Sequence, residues 1–223
     1  MSLDTFRILV PFSELLAAII GTIYFYKYKH TSLKYFLYLL WYITLTEFTG
    51  WYASEYDVLG FFDANEIHYN HWLYNLLYLF FFNVVLIIYL KSIRKISHKF
   101  WIKIFIITYI SVSIINWSFI QSFVFEMSEL PWVTGSIFLI ITIIFYFIQL
   151  LKSDKIIVFH KNLLFWISIG LLLFHTGTIP FSMGYNIYAL IPGIHKLFLI
   201  IYILAIIMYL IFTFGFIWSK KEE

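Results

Sequence analysis

Seven apolar runs, each close to the roughly 20 residues a helix needs to cross a hydrocarbon core about 30 Å thick, take up most of this chain. They fall at residues 8–27, 34–53, 69–90, 100–121, 132–151, 162–184 and 193–218. Isoleucine, leucine and phenylalanine fill them, and the connections are too short for a soluble domain. Strands of about ten alternating residues, which a spanning barrel needs, are not visible. With 62% hydrophobic and 12% charged residues, the composition suits a chain dissolved in lipid. The expectation is an all-α, polytopic, multi-pass membrane protein, one transmembrane domain over residues 1–223. Glu14 interrupts the first run and no small-residue cleavage pattern follows, so that run reads as a helix and not as a signal peptide. Cysteine is absent, which excludes a disulfide framework and a thiolate metal site.

The distribution of charge gives an orientation. Lys27, Lys29 and Lys34 flank the first connection, Lys91, Arg94, Lys95, Lys99 and Lys103 the third, Lys152, Lys155 and Lys161 the fifth, and Lys220 and Lys221 the tail. Those are thirteen of the fifteen basic residues; Arg7 and Lys196 fall on the other side with most of the acidic ones. Basic residues are retained on the cytoplasmic face, so the predicted topology is N-terminus outside and C-terminus inside. Tryptophans at both boundaries agree with it, Trp51, Trp72, Trp117 and Trp132 outside and Trp101, Trp166 and Trp218 inside. The run Lys91–Lys103 is explained by the same bias, and no nucleic-acid signature accompanies it. The lipid bilayer is the expected surroundings, in a bacterial inner membrane.

At 1.5 Å per residue each intramembrane polar side chain acquires a depth. Glu14, Glu47, His71, Asn75, Asn116, His175 and His195 all fall in the outer half. His68, His71, Asn75 and Tyr78 are three or four positions apart and are expected on one helix face. A carboxylate in mid-bilayer costs at least about 2.5 kcal/mol, which points Glu14 and Glu47 at a cavity or a partner. Each residue also has a plainer explanation. A protonated carboxyl can hydrogen-bond across helices, a histidine near the interface is comfortable there, and asparagines commonly bind helices to one another. Convergence of the seven in one half of the membrane favours a ligand-binding site.

An internal repeat sharpens this expectation. Pro11-Phe12-Ser13-Glu14 is matched by Pro131-Trp132-Val133-Thr134, Glu47-Phe48-Thr49-Gly50 by Phe174-His175-Thr176-Gly177, and His71 with Tyr78 by His195 with Tyr202. The intervals from proline to histidine are 60 and 64 residues. The pattern predicts a parallel 3+1+3 duplication, a plan that usually places a ligand between its halves.

Phosphate loops, H-E-x-x-H, G-x-S-x-G and kinase segments are missing. Seven crossings on a 3+1+3 plan resemble the microbial rhodopsins, but the middle of the seventh run, LFLIIYILAIIMYLIF, has no lysine to carry retinal. A retinal cofactor is therefore disfavoured. The duplication is also similar to the sugar transporters built from paired three-helix units, without their Pro-Gln pair. Tyr74-Asn75 opening a long aromatic third helix resembles uncharacterised small seven-helix bacterial membrane proteins; the likeness covers that helix alone and implies no activity.

Three functions follow as expectations. The first is binding of a small polar solute or ion, for sensing or transport, by Glu14, Glu47, His71, Asn75, Asn116, His175 and His195. The nearly apolar inner half would then be a gate, which favours sensing over transport. The second is an intramembrane metal-dependent lipid hydrolase, with zinc or another transition metal held by His71, His175, His195 and Glu47. Ceramidase-type hydrolases use such a set, but their paired histidines at four-residue spacing are lacking here. The third is an accessory subunit docking a protein partner in the membrane, in a multi-protein envelope or defence system.

Overall fold

The computed structural model describes residues 3–153, 159–183 and 195–221, with side chains in the first helix described from Ile8 and in the last from Leu199. Helix α1 (Leu3–Ile23) passes through a 3-10 turn at Phe25–Lys27 into α2 (Lys34–Tyr56). A two-stranded ribbon, β1 (Phe61–Phe62) and β2 (His68–Tyr69), precedes α3 (His71–Ser92). Then come α4 (Ile96–Phe119), α5 (Glu129–Leu151), α6 (Leu163–Ser182) and α7 (His195–Trp218).

Helices α3, α4, α5 and α6, together with Leu199–Trp218 of α7, are long and apolar enough to cross a membrane. In such segments the i→i−4 ladder satisfies every backbone polar group without water, which is why apolar runs of this length settle as helices. Helix α1 has a shorter apolar stretch, Ile8–Ile23. Helix α2 is as long as the others, but tyrosines, threonines and Glu47 dilute its hydropathy. These five spans are consistent with an integral membrane protein in contact with lipid.

The boundaries differ from the sequence expectation where side chains intervene. Helix α1 stops at Ile23, short of residue 27, where the chain turns and the Tyr28 hydroxyl donates back to the Gly21 carbonyl. Helix α5 begins at Glu129, because Pro131 fits the first helical turn, where its missing N–H is not needed. The larger difference precedes α3. Strand residues Phe61 and Phe62 pair antiparallel with Tyr69 and His68, around a turn in which Asp63 Oδ1 accepts from the Asn65 and Ile67 amides at 2.8 and 2.9 Å. His68 therefore lies in a strand, with Nδ1 3.9 Å from Asp57, and does not share the helix face of His71, Asn75 and Tyr78.

Six helices close a ring. Helix α1 packs on α2, α2 on α3, α3 on α5, α5 on α6, α6 on α7, and α7 returns to α1. Helix α4 lies outside, against α3 and α5, with Phe105 stacked on Phe138 at 4.6 Å and the Tyr109 hydroxyl donating to the Tyr78 carbonyl at 3.0 Å. At the end bearing the C-termini of α1, α3, α5 and α7 the ring is filled. Phe36 meets Phe212 edge-on at 5.1 Å, and the Tyr89 and Ser168 hydroxyls bond at 2.7 Å. Lys27 closes this end, its ammonium donating to the carbonyls of Phe216, Ile217 and Ser219 at 3.1, 2.8 and 2.8 Å. A cation there also complements the helix dipole of α7.

Candidate functional site

At the opposite end the ring encloses a cavity of about 530 Å³. Its wall comes from α1 down to Glu14, α2 from Ile43 onward, the N-terminal half of α3, the start of α5, the C-terminal half of α6, α7 down to Tyr209 and the connections just before α3 and α5, and α4 contributes nothing to it among the described residues. The volume lies within the range of small-molecule sites. Burial grades along the wall, from exposed Ser54 through half-buried His71, Glu47 and Glu129 to Glu14, which is 3% exposed.

Glu14 sits one turn below Pro11 on α1, and both face the cavity. The Tyr209 hydroxyl is hydrogen-bonded to its carboxylate, Glu47 lies close enough to interact with both, and Oε2 of Glu14 has no hydrogen-bond partner. Two acidic side chains from different helices thus meet with a tyrosine between α1 and α7. Tyr74 reaches the same group from α3, its hydroxyl 3.5 Å from Oε2 of Glu47, the outer limit for a hydrogen bond. Its approach depends on Gly50 of α2, where a β-carbon would stand 2.4 Å from that hydroxyl.

Of the seven sequence-predicted site residues, Glu14, Glu47 and His71 line the cavity. Asn75 and Asn116 do not. Asn75 is fully buried and organises the connection between α4 and α5, donating to the Phe123 and Glu126 carbonyls at 2.8 and 2.9 Å and accepting from the Ser128 amide at 3.0 Å. That connection places Met127, Ser128 and Glu129 in the wall, so Asn75 acts on the cavity through it. Asn116 turns to the end of α4, donating to Gln121 Oε1 at 3.1 Å, the same oxygen that accepts from the Glu129 amide. Both behave as the hydrogen-bonding links that buried asparagines make when helices converge.

His175 is fully buried and stands behind the wall. Its Nδ1 lies 2.8 Å from the Ser136 hydroxyl, Nε2 has no partner, and rings of Phe81, Phe82, Trp132 and Phe174 surround it at 5.6, 5.4, 5.3 and 5.3 Å. Phe81, Trp132 and Phe174 also line the cavity, so an aromatic layer separates the imidazole from it. His195 begins α7, but its side chain lies outside the described residues. Among the described residues no three histidines, cysteines or carboxylates gather in a way that could hold a metal ion.

The wall is richer in aromatic hydroxyls than the sequence suggested. Tyr202 and Tyr209 of α7 line it with Ala205 and Met208 between them, a spacing of three and four that was open to inspection as a polar stripe in an isoleucine-rich helix. Glu129 lies three residues before the fifth apolar run expected from residue 132, so no helix periodicity pointed to it. Ser54 and Asn70 gave no signal, since the ribbon that brings them together was not expected; Asn70 donates to the Gly50 carbonyl and to Ser54 at 2.8 and 3.0 Å. No protein-family model, curated protein or solved structure matches the chain.

Proposed function

We propose that this is a seven-crossing membrane protein of a bacterial inner membrane, N-terminus outside, whose cavity binds a small solute or ion arriving from the outer face. Buried Glu14, with one carboxylate oxygen unpartnered in the wall of a cavity, is the observation that carries the reading. A carboxylate is costly at membrane depth, and a ligand or water in the cavity recovers the interaction it lacks. The positive-inside distribution supports the orientation, since the end away from the cavity bears most of the lysines. Helices α1 and α2 are counted as crossings because they complete the ring, burying their apolar faces against spanning neighbours.

The 3+1+3 duplication is part of the same proposal. Triplets α1–α2–α3 and α5–α6–α7 are each packed in chain order and meet at α3 with α5 and at α7 with α1, while α4 stands apart as the connector. Glu47 and its counterpart Phe174 both line the cavity, as do Tyr78 and its counterpart Tyr202. The filled opposite end favours a sensor, in which occupancy shifts helix packing, over a continuously alternating transporter.

A panel of small solutes tested by thermal unfolding of the detergent-solubilised protein checks the proposal. A ligand at a hundredfold its Kd adds about 2.7 kcal/mol, and the gain should vanish in Glu47→Gln. Stabilisation that survives both Glu47→Gln and Tyr209→Phe would place the site elsewhere.

A further inference from the structure

From the arrangement of charge at the filled end of the bundle we infer that Lys95, His98 and Lys152 form a site for the phosphate headgroup of one anionic phospholipid; this rests on the membrane-spanning part of the reading above and not on the cavity. Helix α4 begins at Ile96 and α5 ends at Leu151, and both are long and apolar enough to span. Lys95 and Lys152 each stand one residue beyond, at the level of lipid headgroups. Local structure brings the three side chains together. Phe145, Gln149 and Lys152 are spaced four and three apart and share one face of α5. Gln149 holds the short connection between α3 and α4 against that face, accepting from the Arg94 amide at 2.5 Å and donating to the Ser92 carbonyl at 3.3 Å. One turn further on, His98 stacks on Phe145, 4.3 Å between ring centroids and 13° between planes, within interaction range of both Lys95 and Lys152.

Nδ1 of His98 is buried without a hydrogen-bond partner, and among the described residues no carboxylate lies at this end of the bundle. The positive-inside bias gives the face its sign, but it does not bring ammoniums from two connections to one imidazole; an anion between them relieves their repulsion. The neighbours decide which anion. Phe100 of α4 and Leu151 of α5 are exposed apolar side chains, and α4 is the helix outside the ring, so acyl chains cover this flank. A phosphodiester offers oxygens to both ammoniums and to an imidazole N–H, with its chains running down the apolar surface.

The test is native mass spectrometry of the detergent-solubilised protein, titrated with phosphatidylglycerol or with phosphatidylcholine of the same chains. The first phosphatidylglycerol should bind about tenfold or more tightly than the first phosphatidylcholine, and Lys95→Gln/Lys152→Gln should weaken it by about tenfold. Lys220→Gln/Lys221→Gln removes the same two charges after α7, which packs against α1 and α6, and should change that affinity by less than about twofold. His98→Phe keeps a ring to stack on Phe145 and loses both nitrogens; it should weaken phosphatidylglycerol by about threefold or more. An equal loss in the two double variants would mean diffuse attraction to the whole basic face and overturns the site. Equal binding of the two lipids, or displacement of phosphatidylglycerol by an equal concentration of inorganic phosphate, overturns the lipid assignment. None of the substituted residues lines the cavity, so the solute-binding reading stands or falls separately.

Discussion

Ser136 and His175 meet between α5 and α6, hydroxyl against Nδ1 at 2.8 Å, and neither is exposed at all. The pair belongs to the packing of the bundle and not to the surface of the cavity. Ser136→Ala leaves both imidazole nitrogens without a partner and should cost about 1–3 kcal/mol of stability. Removing both polar groups together, in Ser136→Ala/His175→Phe, should restore much of that loss, because nothing is then left unsatisfied. The check is unfolding in detergent alongside solute binding. Were His175 a ligand residue, the double variant would fold well and bind nothing.

Asn75 carries the rim of the cavity without touching it. Substituting Asn75→Ala removes two donated hydrogen bonds and one accepted one at a fully buried site, and should destabilise the protein by about 2–4 kcal/mol. The same change frees the segment holding Met127, Ser128 and Glu129. Hydrogen exchange should rise there first, ahead of the remainder of α5; uniform exchange along α5 would contradict this role.

Gly50 and Tyr74 form a tight contact that also sets the wall. A β-carbon at residue 50 lies 2.4 Å from the tyrosine hydroxyl, so Gly50→Ala must push that ring and should cost about 1–3 kcal/mol. Tyr74→Phe removes the atom in the way. The double variant should therefore be less destabilised than the sum of the single ones, by about 0.5 kcal/mol or more. Strict additivity would mean that the ring yields elsewhere.

Lys27 tests the closed end of the bundle. Its ammonium serves three carbonyls at the end of α7, and Lys27→Met should cost about 1–3 kcal/mol while leaving solute affinity unchanged. A matching loss of affinity would mean that the filled end and the cavity are coupled, as a transporter would require.

Much of the bundle was legible because lipid imposes one rule on every segment. A run such as Leu163–Ser182 has no internal alternative to a helix, whereas its ends are set by local contacts, so that α1 and the start of α4 are displaced by about a turn from the expected bounds. Glu14 and Glu47 stood out for the same reason, since a carboxylate in an apolar run has to be explained. His175 was as conspicuous and was placed in the site, because sequence gives depth but not azimuth; only packing shows Phe81, Trp132 and Phe174 between it and the cavity. Asn75 and Asn116 were legible as polar, yet what they bond is a connection whose path no periodicity encodes. The ribbon around Asp63 was hidden in a stretch without a strand-length pattern, each strand being two residues long.

Where the cavity faces is tested most directly by labelling from outside. In intact cells an impermeant maleimide should label Ser54→Cys, which is exposed at the cavity end, and should reach Ser97→Cys, exposed at the start of α4 at the other end, only after the membrane is permeabilised. That pattern is the predicted result. The reverse pattern, with Ser97→Cys labelled in intact cells and Ser54→Cys protected, would turn the cavity toward the cytoplasm and contradict an outward-facing site.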